Sequence, residues 1–402
     1  MDLAPGVYLN ESPRGPAPEL GTGVPAFLSI DRSRSGDRPR ATSAPRGVEV
    51  ARLDRWSAEA GAKLRGYLHF AVRGFFANGG RRCYVISTPS LSPGSAVEAL
   101  LQHLDDVDLL CAPGLGVSAA TSLVGLCAAL GRTFAVLDSP RLSLGGPTGI
   151  EAYRAQLAKA LSSLPAPYDA ALYFPWIQVR GVCPACGGSG LSGDVECAQC
   201  AGSGVGSATG LVPPSGHVAG IYSRTDRTDG VFKAPANVEV AETFALQVDV
   251  PAALQGRLNE QGVNCLRVFP GRGIRVWGAR TLGTGEDYRW VNQRRLVLTL
   301  CRSLRQAMSA LVFEPNDPLL WVRSSTQATS VLRALFARGA FAGATEAGAF
   351  YVKCDEETNP PEVRAAGQVV TEIGLLAPAP AEVLKIQIIQ GERGVTITEQ
   401  AL

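Results

Sequence analysis

The chain has 402 residues, 46% hydrophobic and 18% charged, with a formal net charge of +2. That length and apolar content can bury a sizeable core in two domains, and the near balance of charge creates no field that calls for nucleic acid or an anionic lipid surface. No apolar run approaches the roughly 18–20 residues of a membrane helix, and the opening M-D-L-A-P-G lacks the basic and apolar regions of a secretory leader. The reading is a protein made and assembled in a bacterial cytoplasm, with no nucleic-acid partner and no membrane insertion. The low charged fraction fits surfaces hidden by self-association, helped by a high Ala and Gly content.

Residues 1–20 are crowded with proline and glycine around one short alternating run, Val7, Tyr8 and Leu9, and predict an extended arm. Residues 31–47 form a basic, polar, solvated loop. From Leu64 the pattern turns helical, with Leu68, Ala71, Phe75 and Phe76 at helical spacing and a stop at Asn78-Gly79-Gly80, then a strand at Cys83 to Ser87. Three repeats of one rhythm follow. Helices at 95–104, 118–130 and 150–163 lead to strands at 107–111, 133–138 and 169–178. Helices alternating with short apolar strands predict a parallel sheet covered on both faces.

After an insert at 180–210, the residues from 211 to 296 are richer in short strands and turns. Strands are expected at Gly220 to Tyr222, Phe244 to Val250, Cys265 to Phe269 and Ile274 to Trp277. The strongest later helix covers 291–312, its stripe being Val297, Cys301, Leu304, Met308 and Leu311. A second helix is expected at 326–338, strands at 349–354 and 383–390, and a short helix near 361–367. Leu384, Ile386 and Ile388, then Val395 and Ile397 after the Gly391–Gly394 turn, alternate as strands do at a chain end.

Fold class is therefore α/β: a parallel-sheet-containing N-terminal domain plus an α+β C-terminal domain, with extended N- and C-terminal β arms. The boundaries read as an arm at 1–20, an α/β domain at 21–179, the insert at 180–210, a C-terminal core domain at 211–380 and a β arm at 381–402.

Ten cysteines divide into two sets. Cys83, Cys111, Cys127, Cys265, Cys301 and Cys354 lie singly in apolar stretches and read as buried thiols of a reducing compartment. The insert reads C-P-A-C-G-G-S-G, six further residues, then C-A-Q-C-A-G-S-G, a C-x-x-C-x-G-x-G repeat with a period of 14 from Cys183 to Cys197. Cys183, Cys186, Cys197 and Cys200 supply the four thiolates that tetrahedral zinc prefers, and the glycines permit the turns that aim backbone amides at sulfur. Two disulfides or four free thiols are the alternatives. Four protein ligands describe a closed, structural centre with one zinc per chain, and an insert so poor in apolar residues would take its folding energy from the metal. The pattern resembles the zinc-binding repeats of Hsp40-type chaperones. The insert is pictured as a surface finger that contacts a neighbour or a partner.

Between Arg224 and Arg295 the chain reads R-T-D-R-T-D-G-V-F-K-A-P-A-N, then L-N-E-Q-G-V-N-C-L-R-V-F-P-G-R-G-I-R-V-W-G-A-R-T-L, then W-V-N-Q-R-R. With Pro5 to Glu11, Phe75 to Ile86, Ala171 to Gln178, Val212 to Tyr222 and Pro380 to Ile389, this resembles the contractile tail sheath proteins of phage tails and phage-tail-like injection particles. The resemblance covers nearly all of the chain outside the insert. It implies a structural subunit, not an enzyme: a homo-oligomer stacked as rings of six in a helical sheath around an inner tube, with baseplate and terminator or cap proteins as further partners. Val7, Tyr8 and Leu9 at one end, and Leu384, Ile386, Ile388, Val395 and Ile397 at the other, would form intersubunit arms that add strands to neighbours. The compact length favours an injection particle over a large phage tail.

Other motifs have plainer readings. Ala112 to Ser118 (A-P-G-L-G-V-S) lacks the third glycine and the lysine of a phosphate loop and reads as a strand-to-helix turn. His69, His103 and His217 show no metal spacing. Arg267, Arg272, Arg275, Arg280, Arg294 and Arg295 are expected to pair within or between subunits, with Asp226, Asp229, Glu286 and Asp287 as candidate partners inside the chain. The helix at 326–338, with Arg333 and Arg338, is the candidate contact with the inner tube. The alternative function is a nucleotide-binding α/β enzyme or a zinc-finger adaptor.

Overall fold

The computed structural model describes residues 21–30, 48–142, 148–162, 168–283, 288–309, 311, 314–377, 383–391 and 394–401. The first half runs β1 (Pro25–Ile30), β2 (Glu49–Leu53), α1 (Ala58–Ala62), α2 (Tyr67–Ala77), β3 (Cys83–Thr88), α3 (Ala96–Gln102), β4 (Leu109–Cys111), α4 (Val117–Leu130), β5 (Phe134–Asp138), α5 (Thr148–Leu161) and β6 (Ala170–Phe174). The insert lies among β7 (Ile177–Val182), β8 (Leu191–Ser192), β9 (Val195–Glu196) and β10 (Val205–Val212). Then come α6 (Ser215–Thr228), β11 (Val238–Glu239), β12 (Ala245–Leu246), α7 (Ala252–Glu260), β13 (Val263–Phe269) and β14 (Gly273–Trp277). The last part holds α8 (Val291–Ser309), α9 (Pro318–Ala337), α10 (Glu346–Ala349), β15 (Phe350–Lys353), α11 (Pro361–Ala365), β16 (Val369–Leu376), β17 (Val383–Gly391) and β18 (Gly394–Ala401).

A nine-stranded sheet in the order β11-β14-β13-β6-β5-β4-β1-β3-β2 forms the centre. The ladders joining β3, β1, β4, β5, β6 and β13 are parallel, and antiparallel strands finish both edges. This bears out the expected mixed α/β architecture. Alternation sorts the strand residues between two layers: Ala26 and Leu28 join Val97, Leu123, Val124, Leu157 and Leu258 on one face. Phe27 joins Phe70, Phe75, Val218, Ile221 and Val291 on the other. The same sheet contains strands from both sides of the insert, so β13 continues the parallel order begun by β6.

Several expectations change on the structure. The run at 169–178 is two strands rather than one, because Pro175, after a cis bond to Phe174, has no N–H to extend the ladder. β6 stays in the main sheet while β7 joins β10 and β12 in a three-stranded sheet. Gly220 to Tyr222 belongs to helix α6, not to a strand. The residues of α6 from Ser215 to Ser223 are all buried, the polar ones included, and only four of them in a short run are strongly apolar. A Cβ on Gly216 would stand 2.3 Å from Ala71 Cα, and one on Gly220 would stand 2.3 Å from the Phe75 carbonyl oxygen, so glycine lets α6 and α2 meet backbone to backbone. The expected strand at Phe244 to Val250 shrinks to Ala245–Leu246.

α8 carries most of the expected stripe: Val297, Cys301, Leu304 and Met308 are buried on it, and Leu311 is buried just beyond its end. α9 begins earlier than expected, because Asp317 caps it by accepting the Leu320 N–H at 2.9 Å and Pro318 follows at the first helical position. Together α8 and α9 cover a four-stranded sheet, β15-β16-β17-β18, around a third core.

Candidate metal centre and chain-end surfaces

The four insert cysteines converge. Their Sγ atoms all lie within 4.8 Å of one another, with Cys183 and Cys197 at 4.0 Å and Cys186 and Cys200 at 3.7 Å. A tetrahedron with metal–sulfur bonds of about 2.3 Å has sulfur–sulfur edges of about 3.8 Å, so the donor set fits one tetrahedral, thiophilic divalent ion. This is the only such cluster among the described residues. Cys183 and Cys197 are buried, whereas Cys186 and Cys200 are half-buried.

Both repeats fold alike. The Cys183 N–H donates to the Gly204 carbonyl at 2.8 Å, and the Cys197 N–H donates to the Gly190 carbonyl at 2.9 Å. The Gly204 amide approaches Cys200 Sγ at 3.3 Å, the N–H to sulfur contact expected of a thiolate turn. Backbone N–H groups of Cys186 and Ala185 hold the Cys183 thiol below its usual range, while burial pushes Cys186 up. The insert packs against the corner between α1 and α2, where Arg65 Nη1 donates to the Ala201 carbonyl at 2.7 Å. The tip of the β8–β9 hairpin reaches into solvent, with Val195 67% exposed.

Elsewhere the buried thiols match their reading: Cys83, Cys111, Cys127, Cys265 and Cys301 are buried and Cys354 is half-buried. Burial raises each of Cys83, Cys111, Cys127, Cys265 and Cys354 above the ordinary thiol range.

The signature arginines separate into structural roles. Arg295 pairs with Asp226, as anticipated, and also reaches Asp108 at 3.1 Å. Arg294 pairs with Asp169, a partner the sequence did not single out, and lies over the Tyr168 and Tyr288 rings. Arg272 and Arg275 bond Asn237, and Arg280 lies 4.1 Å over the Trp290 ring. Asp229 accepts from the neighbouring Thr228 hydroxyl, and Glu286 and Asp287 fall outside the described residues.

The remaining candidates stay apart. Gly114, in the 112–118 turn, donates to Asp138 at 3.2 Å, so that amide is occupied internally. His69 Nδ1 meets the Gly61 carbonyl, His103 Nδ1 meets the Ala99 carbonyl, and His217 is buried against Gly74. Val7, Tyr8 and Leu9 lie outside the described residues. Leu384, Ile386 and Ile388 are on β17, an inner strand paired with β16 and β18 of the same chain. Val395 and Ile397 are on β18, which ends the sheet, so one edge of its backbone has no strand beside it among the described residues. On α9, Arg333 pairs with Glu346 at 3.0 Å. No helix among the described residues is long and apolar enough to cross a membrane.

Comparison with known proteins places these features. A family profile described as the phage tail sheath protein central domain matches residues 168–282. The tail sheath protein of Burkholderia phage BcepMu is 29% identical over 181 residues, which is 43% of this chain and 37% of that relative. The chain thus spans well under half of that curated relative. Among solved structures, the sheath of an extracellular contractile injection system, PVC, in its contracted state aligns with a TM-score of 0.69 and 28% identity, covering 94% of this chain and 95% of that one. The helical sheath of the anti-feeding prophage in its contracted state aligns with a TM-score of 0.66 and 26% identity, covering 95% and 98%.

Proposed function

We propose that the chain is a structural subunit of a contractile sheath of the phage tail sheath kind, that its activity resides in the polymer and that it has no catalytic role. Copies stack as rings of six around an inner tube, between a baseplate and a terminator, and shortening of the array drives the tube through a target envelope. The observation that carries this reading is the end-to-end correspondence with the PVC sheath chain, 94% of one against 95% of the other. The same correspondence supports a compact injection particle assembled in a bacterial cytoplasm.

Two features of the chain supply the physics. Heterologous contacts that do not close produce an open helix of subunits. Chain ends that add strands to a neighbour tether each copy by main-chain hydrogen bonds while the bodies repack. The segment from Val383 to Ala401 is a hairpin whose last strand offers an edge, and the arm containing Val7, Tyr8 and Leu9 is the matching donor or acceptor. α9, which carries Arg333 and is followed by Arg338, stays the candidate tube contact, and its first turns add the exposed Leu319 and Val322. Cys183, Cys186, Cys197 and Cys200 hold one structural zinc.

Negative-stain microscopy of the expressed protein tests the assembly: ridged cylinders are expected, and a strictly monomeric protein at high concentration would overturn it. Because Ile386 and Ile388 are fully buried, the arm is best tested by deleting only 394–402. That truncation should leave a folded body that makes no long sheaths; normal sheaths from it would refute strand donation.

A further inference from the structure

Gly66 opens α2 at φ +54° and ψ −139°, far from the metal ligands in sequence. Its N–H donates to two carbonyls of the second cysteine repeat, Gly202 at 3.2 Å and Ser203 at 3.0 Å. A Cβ at this position would stand 2.3 Å from the Ser189 carbonyl oxygen of the first repeat. A residue of the main body is therefore inserted between the two ribbons that carry the sulfur ligands.

The surrounding glycines show how close that approach is. A Cβ on Gly190 would meet the Gly202 carbonyl oxygen at 2.3 Å and Gly66 Cα at 3.2 Å. One on Gly204 would meet the Gly188 carbonyl oxygen at 2.4 Å and Gly66 Cα at 3.0 Å. Gly188, Gly190, Gly202 and Gly204 are the repeat glycines, so the spacing that allows the thiolate turns also opens a slot for Gly66. Its neighbour Arg65 holds the second repeat from outside: besides the bond to Ala201, it lies 3.3 Å from Glu196. Ala201 has φ +46°, a left-handed conformation that a non-glycine residue adopts at a cost, and Arg65 secures its carbonyl.

We infer that Gly66 is a positioning residue of the metal centre: the α1–α2 corner and the two cysteine repeats form one unit, which the metal fastens to the sheath body. The inference rests on the reading of the four cysteines as a metal site. It adds that the site is completed from outside the insert, and that metal occupancy governs order at the start of α2. A knuckle folding by itself would be indifferent to Gly66. Outer-shell groups that orient ligands typically change metal affinity on the order of 10- to 100-fold when lost, and this contact acts on both ribbons.

The test uses the full chain loaded with zinc, and with cobalt for its thiolate charge-transfer and tetrahedral d–d absorption. Metal per chain and release to a chromogenic chelator are measured for wild type, Gly66→Ala, Arg65→Ala and Gly131→Ala. Gly131 also has positive φ, in the ordinary left-handed region, and nothing lies within 4 Å of an added Cβ, so it reports the cost of a left-handed alanine remote from the cysteines. Gly66→Ala should lose the metal or release it at least tenfold faster, Arg65→Ala should release it several-fold faster, and Gly131→Ala should match wild type. Wild-type stoichiometry, release rate and cobalt spectrum in Gly66→Ala would overturn the inference. A metal-free wild type would instead overturn the metal reading itself. If Gly66→Ala does not fold, hydrogen exchange on wild type decides: chelation should deprotect the Gly66 amide and the first turn of α2, and unchanged protection there would refute the coupling.

Discussion

Arg295 donates to both carboxylate oxygens of Asp226, at 2.8 and 2.6 Å, with both side chains almost wholly removed from solvent. Arg295 lies in the first turns of α8 and Asp226 near the end of α6, so one bidentate contact pins the two helices at the centre of the molecule. Burial works against the charge on Arg295, but the carboxylates of Asp226 and Asp108 more than offset it and hold the guanidinium above its ordinary range. Asp108 also accepts the N–H groups of Gly23 and Val24 at 3.0 and 2.7 Å, which fixes where the chain enters β1.

Removing Asp226 leaves the buried Arg295 with only its single carboxylate contact, to Asp108, and two donors unsatisfied. Asp226→Ala is therefore expected to cost about 3–5 kcal/mol, far more than a surface pair would. The measurement is urea denaturation of the isolated subunit. A loss below about 1 kcal/mol would mean that water or another acid replaces the carboxylate.

The contact between α2 and α6 makes a second prediction in which two magnitudes compete. Replacing Gly216 by alanine raises helix propensity by about 1 kcal/mol. The new methyl, however, would meet backbone atoms of Ala71, with Cα and the carbonyl oxygen both at 2.3 Å. Backbone cannot rotate away as a side chain can, and overpacking costs about 1–3 kcal/mol or more. Gly216→Ala should be net destabilising, with Gly256→Ala on open α7 as a control that is neutral or stabilising. Thermal melts of the two variants, moving in opposite directions, would establish the point.

Those helices also show what a sequence displays and what it conceals. Most of the parallel strands are legible because each is a short apolar run between helical patterns, and the convergence of the four insert cysteines because their spacing is a local property. α6 is concealed because its apolar run V-A-G-I-Y is short, carries glycine and three β-branched or aromatic residues, and reads as a strand when taken by itself. β1 escaped notice as a short segment ending against the basic loop, yet it lies between β3 and β4 in the main sheet. Asp226 was found for Arg295 because both lie in the signature, whereas Asp169 and Asp108 reach the arginines across 125 and 187 residues. Gly66 belongs with them, since its role depends on a contact that no local pattern encodes.

Metal removal gives a third prediction. Residues 183–204 have few apolar side chains, so on the proposed metal reading four thiolates and one ion would supply most of the local folding free energy. Purified protein should carry one zinc per chain, and Cys197→Ala should carry none. The variant should become sensitive to limited proteolysis within the insert while the nine-stranded sheet keeps its circular dichroism. Cleavage patterns identical to wild type would show that the insert holds its shape without metal.

Asp138, at the end of β5, provides the fourth. Its Oδ1 accepts the Ser215 N–H at 2.7 Å, and its Oδ2 accepts the Ser215 hydroxyl at 2.7 Å and the Gly114 N–H at 3.2 Å, which seats the start of α6. Burial is the strongest influence and pushes the carboxyl up to about 7, against the pull of those donors. In the unfolded chain the same group titrates near 4. Between these values the folded state binds the proton that the unfolded state has released, so stability falls as pH rises from about 4 to about 7 and is level above that. The slope from this single group is at most about 1.4 kcal/mol per pH unit. Asp138→Asn should flatten that segment of the stability curve, even if it lowers the curve overall by misplacing one donor. Urea midpoints taken at half-unit intervals from pH 4.5 to 7.5 decide the matter: parallel curves for the two proteins would assign the slope to other groups.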